Sequence, residues 1–146
     1  MNVLPPGALS MTTFKFKAII SDANVLIDYE KSNKKVLQLA SKYLCEVYVP
    51  TPILKEVKDI TGAELQRLCF LIAKEHGWTC ATNDKQLRDQ CVASGVSIIW
   101  GLEIMLYLNK AGHLERAEAE KTSQRIGEVN PYIGQSLIGK FVTKLN

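Results

Sequence analysis

The chain has 146 residues and a mass of 16.3 kDa, which fits one globular domain with a single buried core. Hydrophobic residues make up 47% and charged residues 23%, a balance that excludes a disordered or a membrane-embedded chain. The formal net charge of +3 permits binding to a polyanion but is far below the excess of a protein that coats nucleic acid.

The chain carries no recognisable export or membrane segment. Residues 1–14 lack a basic segment followed by a long apolar core, so we expect no secretory signal. The longest apolar runs, such as 68–73, are far shorter than the roughly 20 residues that cross a bilayer. We expect residues 1–15 to be a flexible lead-in and residues 16–146 to form a single domain without membrane association.

The four cysteines stand in apolar stretches and lack the close pairing of a zinc site. We expect free thiols that are buried or half-buried, which are typical of a reducing compartment such as the cytoplasm. The residues concerned are Cys45, Cys69, Cys80 and Cys91.

The first half of the chain alternates strand and helix patterns. KAIIS at 17–21 predicts a buried strand that stops at Asp22. Ser32 is expected to cap a helix whose apolar residues follow at helical spacing. EVYV at 46–49 predicts a second strand, and Thr51 before a proline predicts the start of a helix that carries Glu56.

The second half continues the alternation and ends in helices. A helix is predicted after Gly62, with Leu65, Leu68, Cys69, Ile72 and Ala73 on its apolar face and Gly77 at its end. Further strands are predicted at 78–82 and 96–100, and further helices at 84–94, 101–112, 114–129 and after 131. This order predicts a three-layer α/β/α domain with a central parallel sheet of about four strands and a helical C-terminal tail.

Acidic residues follow three of the predicted strands: Asp22, Glu56 and Asp84. Because the carboxyl ends of parallel strands meet at one edge of a sheet, we expect these acids to converge there. Like charges held together raise one another's pKa unless a cation neutralises them. Carboxylate oxygens suit Mg²⁺ or Mn²⁺ better than Zn²⁺. The sequence therefore predicts a magnesium or manganese site at this edge.

Each acid also has an ordinary structural interpretation. Asp84 and Asn24 can serve as helix caps, and Asp22 can accept backbone hydrogen bonds at a strand end. Glu56 can be a solvated helix residue. Any one acid alone is more often a cap than a metal ligand, whereas three at neighbouring strand ends favour a metal site.

Three segments resemble the PIN-domain family, in particular short prokaryotic proteins related to VapC-type toxins. They are IISDANVLID at 19–28, VYVPTPILKEV at 47–57 and AKEHGWTCATNDKQLRDQCVASGVSIIWGLEIML at 73–106. The similarity covers most of the chain from about Phe16 onward. PIN domains are metal-dependent nucleases, usually of RNA, with a parallel sheet between helices and acids at its carboxyl edge.

The resemblance implies a metal-dependent ribonuclease with Asp22, Glu56 and Asp84 as catalytic metal ligands. The supporting polar residues beside the metal would be Asn24, Thr82 and Asn83. One or two Mg²⁺ or Mn²⁺ ions would activate water and stabilise charge on the phosphate. RNA is then the substrate, and a protein antitoxin and a second copy of the chain are the expected partners.

The chain departs from the family between its second acid and the helix that follows. Relatives usually have several tens of residues there, whereas only VKDITGAELQ separates Glu56 from Arg67, so we expect a domain shortened between residues 57 and 66. Gln66 stands where the family has an aspartate. If the helix from Gly62 begins as it does in the family, Gln66 faces the same edge as Asp84. A neutral amide brings no charge to a cation, so a lower metal affinity is expected.

Two functions remain open from the sequence. The first is an active ribonuclease, the toxin of a toxin-antitoxin pair. The second is a catalytically impaired PIN-like scaffold that binds RNA or a protein partner. Lys31, Lys35 and Lys42 lie close to one helical stripe, with Lys34 beside it, and could contact phosphates. A solvated helix face is the commoner arrangement for such lysines.

Overall fold

The computed structural model describes residues 16–20, 23–49 and 62–146, which form four strands and seven helices. The strands are β1 (Phe16–Ile20), β2 (Cys45–Tyr48), β3 (Thr79–Ala81) and β4 (Ile98–Ile99). The helices are α1 (Ala23–Ser32), α2 (Lys35–Tyr43), α3 (Gly62–His76), α4 (Lys85–Ala93), α5 (Gly101–Lys110), α6 (Arg116–Val129) and α7 (Gln135–Thr143).

The four strands form one parallel sheet in the order β2-β1-β3-β4. Ile19 of β1 is in register with Tyr48 of β2, and Ile20 is in register with Ala81 of β3. The chain passes from β1 to β2 on one side and then to β3 on the other side of β1, so the strand order reverses between β1 and β3. Open parallel sheets bind ligands outside the carboxyl ends of their strands at such a switch point.

Successive residues of the strands point to opposite faces of the sheet, and each face is covered by helices. Ile20, Ala81 and Ile99 lie in register and belong to a large core with residues of α1, α2, α5, α6 and α7. Ile19 and Cys80 belong to a smaller core with residues of α3 and α4. The architecture is the predicted three-layer α/β/α sandwich with a helical C-terminal region.

Two predicted helix ends are confirmed by backbone geometry. Gly77 follows α3 with φ of 70°, and Gly95 follows α4 with φ of 76°. Glycine adopts this left-handed conformation without the steric cost that a Cβ atom imposes, so it ends a helix readily.

The interpretation of Ser32 as a helix cap was wrong. Ser32 is the last residue of α1, a helix the sequence pattern did not predict, and its Oγ donates to the carbonyl of Asp28 at 2.5 Å. The start of α2 is bound instead by Asn33, whose Oδ1 accepts from the backbone N–H of Lys35 at 3.1 Å. The helix start predicted at Thr51 lies outside the described residues.

The apolar face of α3 differs in part from the prediction. Cys69, Phe70 and Ala73 are buried, whereas Leu68 is 43% exposed. The side of α3 that is buried therefore differs in part from the side that periodicity alone predicts.

Within the described residues, no helix has both the length and the apolar character needed to span a membrane.

All four cysteines are free and buried, as predicted. Burial raises the pKa of the Cys69 thiol to about 11. Burial also raises the pKa of Cys80 and of Cys91 above the ordinary thiol value. These thiols therefore stay protonated at neutral pH and act as small apolar groups in the core beneath α3 and α4.

Candidate functional site

A cavity of about 580 Å³ opens at the carboxyl ends of β1, β3 and β4. Asn24 of α1 lines it just after β1, Asn83 and Asp84 line it just after β3, and Trp100 lines it just after β4. Gln66 of α3 and one face of α7 complete its walls. The described part of the chain thus forms a concave site at the switch point of the sheet, where the sequence predicts the chemistry to be.

Asp84 is held in a defined orientation at the start of α4. Its Oδ1 accepts from the backbone N–H of Leu87 at 2.8 Å, which makes it the N-cap of the helix. Its own backbone N–H donates to Oγ1 of Thr82 at 3.0 Å. The cap occupies one carboxylate oxygen, and Asp84 still contributes to the cavity wall. The cap interpretation and the site interpretation of Asp84 are therefore compatible.

Thr82 and Asn83 support the strand end in different ways. Thr82 is 1% exposed, and its backbone N–H donates to the carbonyl of Ile99 in β4 at 3.0 Å. This bond fixes Thr82 in the sheet, and its Oγ1 accepts from the backbone N–H of Asp84. Asn83 lines the cavity, and its Oδ1 accepts from the N–H of Gly101 at 3.0 Å. The amide nitrogen of Asn83 is buried and has no hydrogen-bond acceptor within the described residues.

Gly101 joins this strand end to the core on the far side of the sheet. The phenol of Tyr29 donates to the carbonyl of Gly101. Burial, and after it the neighbouring Asp28, raises the pKa of Tyr29 well above its usual range, so this phenol remains a donor. Asn83, Gly101 and Tyr29 thus form a continuous hydrogen-bonded chain from the cavity into the large core.

Gln66 reaches the same edge from α3. Its Nε2 lies 3.4 Å from Oδ2 of Asp84, at the long end of hydrogen-bond distance. The expected orientation of Gln66 toward Asp84 is therefore observed. Gln66, which stands where the PIN-domain family has an aspartate, thus lies beside Asp84.

Two of the three predicted metal ligands, Asp22 and Glu56, lie outside the described residues. Among the residues that are described, no three His, Cys, Asp or Glu side chains come together as a metal-binding group. The donors that line the cavity are nonetheless of the right kind for a hard cation. The carboxylate of Asp84 and the amide oxygens of Gln66 and Asn24 are oxygen donors of the kind that Mg²⁺ and Mn²⁺ prefer.

The lining of the cavity also carries positive charge. Lys140 and Lys144 line the cavity from α7 and its C-terminal cap, and Lys85 lines it from the first turn of α4. Glu103 also lines the cavity, but its Oε1 accepts from the backbone N–H of Trp100 at 2.9 Å and so caps α5. The cavity lining therefore contains both acidic and basic groups.

A buried polar pair fixes the loop between α6 and α7 beside the cavity. Nδ2 of Asn130 lies 3.0 and 3.3 Å from the two carboxylate oxygens of Asp28, and both residues are buried. Oδ1 of the same asparagine accepts from the N–H of Tyr132 at 3.1 Å. Because breaking the contact would leave two buried polar groups without each other, this pair holds the loop against α1.

Several cavity residues were not identified from the sequence. Glu103 stands three residues after Trp100, which is the spacing of a capping box. The N-cap position holds Trp100 and not the usual Ser or Thr, so the sequence does not show the capping-box motif. Asn130 meets Asp28 across 102 residues, a separation that no local pattern reports. Lys140 and Lys144 carry no sequence signal beyond being basic residues toward the end of a helix.

No protein-family model matches the chain, and neither a curated protein nor a solved structure is similar enough to count as a relative. The functional inference therefore depends on the cavity and its side chains.

Proposed function

We propose that this chain is a metal-dependent ribonuclease that hydrolyses RNA phosphodiester bonds at the carboxyl edge of its sheet. The observation that carries the proposal is the placement of Asp84 and Gln66 in one cavity beside the switch point between β1 and β3. The resemblance of residues 19–28, 47–57 and 73–106 to PIN-domain ribonucleases supports the same function.

The proposal assigns the metal to Asp84 together with Asp22 and Glu56. In the sequence, Asp22 stands between Ile20, which ends β1, and Ala23, which begins α1, so we assign it to the same edge as Asp84. Bound Mg²⁺ or Mn²⁺ would supply an activated water and neutralise charge on the phosphate.

The neighbouring residues would keep the acid in a fixed position for this chemistry. The N-cap bond to Leu87 and the bond to Thr82 hold Asp84 before any ligand arrives. Groups fixed in advance lose little freedom on binding, which favours both metal affinity and catalysis. Asn24 and Asn83 would complete the polar lining around the phosphate.

The test is RNA cleavage with and without a chelator. Purified protein is incubated with single-stranded RNA and Mn²⁺, and Asp84→Asn is compared with the unaltered chain. Asparagine caps a helix as well as aspartate does, so the fold should be retained. We expect the chelator to abolish cleavage and Asp84→Asn to lower its rate by about 100-fold or more, since even indirect changes around a metal cost roughly 10 to 100-fold.

Asp89→Asn is the matched control, because it removes the same charge from an exposed position of the same helix. It should leave the rate unchanged. Cleavage that persists in chelator, or that survives Asp22→Asn combined with Asp84→Asn, would contradict the metal mechanism.

The contact between Gln66 and Asp84 also supports the second candidate, a catalytically impaired scaffold that binds RNA or a protein partner. An amide N–H beside a carboxylate satisfies it without a cation, whereas a second carboxylate would require one. Calorimetric titration with Mn²⁺ separates the two functions. A ribonuclease binds Mn²⁺ and loses it on Asp84→Asn, while a scaffold without metal gives no binding heat.

We propose that the protein acts in the cytoplasm as the toxin of a toxin-antitoxin pair, with a protein antitoxin and a second copy of itself as partners. The four free, buried cysteines support a reducing compartment. An antitoxin is expected to cover the cavity or its rim. Co-expression with a neighbouring open reading frame, followed by purification, should recover a complex whose RNA cleavage is lower than that of the chain alone.

A further inference from the structure

One face of α7 turns two lysines toward the cavity. Leu137, Lys140, Phe141 and Lys144 all line it and stand three, four and seven positions apart, so they share one side of the helix. Phe141 is buried against the core, whereas both lysines are exposed. Neither lysine has a carboxylate within 4.0 Å in the described part of the chain.

Positive charge near the C-terminus of α7 is stabilised by the helix dipole. The dipole acts on every side of the helix, so it does not explain why both lysines line the cavity. Exposed cations such as Lys35 and Arg116 are paired with carboxylates, 2.9 Å from Glu118 and 2.7 Å from Glu120 respectively. Lys140 and Lys144 have no such partner among the described residues and line the same cavity as Asp84, so their positive charge is available there.

Tyr132 stands at the rim of the same cavity and is 90% exposed, more than any other large hydrophobic side chain among the described residues. Its backbone is not loose. The N–H of Tyr132 is bound by Asn130, which is itself bound to the buried Asp28. The aromatic ring of Tyr132 is therefore held in water on a loop whose backbone is fixed. Packing in the core does not explain why an aromatic residue stands at this position.

We propose that Tyr132, Lys140 and Lys144, here called the α7 wall, bind a single strand of RNA. The lysines would contact successive phosphates, and the tyrosine ring would stack on a base. The strand would then lie along the α7 wall in the cavity that Asp84 also lines, with its phosphates at the two lysines. This inference rests on the proposed ribonuclease function and names the residues that hold its substrate.

Stacking distinguishes RNA from other polyanions at this wall. Lysines alone would accept any phosphate-bearing or acidic ligand, but a flat exposed ring beside them adds affinity for a ligand with unpaired bases. Bases in a duplex are already stacked on one another, so the α7 wall should bind a single strand more tightly than a duplex of the same length.

The first test measures binding without catalysis. Fluorescence anisotropy of a labelled single-stranded RNA oligonucleotide is followed in chelator, where no metal-dependent cleavage occurs. Lys140→Gln with Lys144→Gln should weaken binding by about 25-fold at 0.1 M salt and reduce the slope of log K against log salt by about 1.4, because each phosphate contact to a single strand contributes about 0.7 to that slope.

Lys31→Gln with Lys34→Gln is the matched control. Both residues are exposed on the basic stripe of α1 and the turn before α2, and the substitutions remove the same charge. The control should change binding far less than the α7 pair does. Equal losses in the two pairs would overturn the α7 wall and indicate non-specific attraction to any lysine.

The second test addresses stacking. Tyr132→Ala should weaken binding at least about fivefold, since stacking of a base on an aromatic ring is sizeable. Tyr132→Phe keeps the ring and should bind as the unaltered chain does. Because the side chain is 90% exposed, neither change should disturb folding. Equal binding by the alanine and phenylalanine variants would remove Tyr132 from the proposal.

The two proposals fail in different ways. If the α7 wall is wrong but the ribonuclease is right, the lysine and tyrosine variants bind RNA normally while cleavage still depends on metal and on Asp84. If the ribonuclease is wrong but the wall is right, the variants lose RNA binding although the unaltered chain cleaves nothing.

Discussion

Gln66 and Asp84 bring an amide and a carboxylate together at the edge of the sheet. Their side chains approach to 3.4 Å from two different elements, α3 and the start of α4. The amide group of Gln66 carries no charge and can donate a hydrogen bond to the carboxylate. The contact between the two side chains therefore does not require a cation. A second carboxylate in the same place would repel the first and would attract a cation instead.

Gln66→Asp should therefore tighten Mn²⁺ binding. We expect a gain of about tenfold, because changes beside a metal typically alter affinity by roughly 10 to 100-fold. The same change should lower the free energy of unfolding in chelator, where the two carboxylates repel, and Mn²⁺ should restore it. Calorimetric titration and urea unfolding with and without Mn²⁺ measure the two effects.

Gln90→Asp is the control for this prediction, since it makes the same replacement at an exposed position of α4. It should leave Mn²⁺ affinity and the chelator effect unchanged. Unchanged or weaker Mn²⁺ binding by Gln66→Asp would show that Gln66 does not belong to a metal site.

At the level of elements, the turns after β3 and β4 are joined by one close contact. Gly101 begins α5, and a Cβ atom at this position would lie 3.0 Å from Oδ1 and 3.2 Å from Nδ2 of Asn83. Real Cβ atoms rarely come that near, so the absence of a side chain lets the two turns approach. The approach is what allows the N–H of Gly101 to bind Asn83.

Gly101→Ala should push the Asn83 side chain out of place and lower the free energy of unfolding by about 1 kcal/mol, the usual net value of one such hydrogen bond. RNA cleavage should fall with it, because Asn83 lines the cavity. Urea denaturation measures the first effect. In a variant that already carries Asn83→Ala, Gly101→Ala should lower the free energy of unfolding much less, because the side chain with which the new Cβ atom would clash is absent.

Gly139→Ala should change the free energy of unfolding in the opposite direction. Gly139 lies inside α7, and a Cβ atom there meets nothing within 4 Å. Alanine should then raise the free energy of unfolding by about 0.5 to 1 kcal/mol through its higher helix propensity. Destabilisation by both glycine replacements, or by neither, would contradict the role given to the contact between Gly101 and Asn83.

The elements that sequence predicts best are those with local signals. β1 ends where its apolar run ends, α4 begins at the capping Asp84, and α3 ends at Gly77. The pattern missed α1 because two of its buried residues are polar: Asp28, whose partner Asn130 is distant in sequence, and Ser32. Burial that depends on a distant partner leaves no local periodicity.

The candidate site follows the same rule. Asp84 was predictable because a strand end and a helix start coincide there in the sequence, and the parallel sheet then fixes its edge. The α7 side of the cavity was not predictable, because Lys140 reaches the cavity only through the packing of α7 on the large core. Tyr132 likewise depends on the anchored loop at Asn130.

On the scale of the whole molecule, the two faces of the sheet are covered unequally. In the described part of the chain, the large core includes residues of α1, α2, α5, α6 and α7, whereas the smaller core includes residues of α3 and α4. On α3, Leu68 is 43% and Leu71 is 49% exposed, three positions apart. Together they form a small exposed apolar surface on this helix, which contact with another molecule would remove from water.

We predict that a second copy of the chain covers α3 and that the protein is a homodimer in solution. Light scattering coupled to size exclusion should give a mass of about twice 16.3 kDa. Leu68→Lys with Leu71→Lys should reduce it to the monomer mass, because two charges on each copy would have to lose water at the interface. Both side chains are already partly solvated, so the variant should still fold, which circular dichroism can verify.

Ile27→Lys with Val129→Lys controls for added charge in general. These two side chains are each 41% exposed but belong to α1 and α6, in the thicker layer. The control should remain a dimer, because its lysines stay in solvent on the far side of the sheet. A monomer mass for the unaltered chain at every concentration reached, with no partner co-purifying, would exclude the dimer. A dimer that withstands both changes on α3 would place the interface elsewhere.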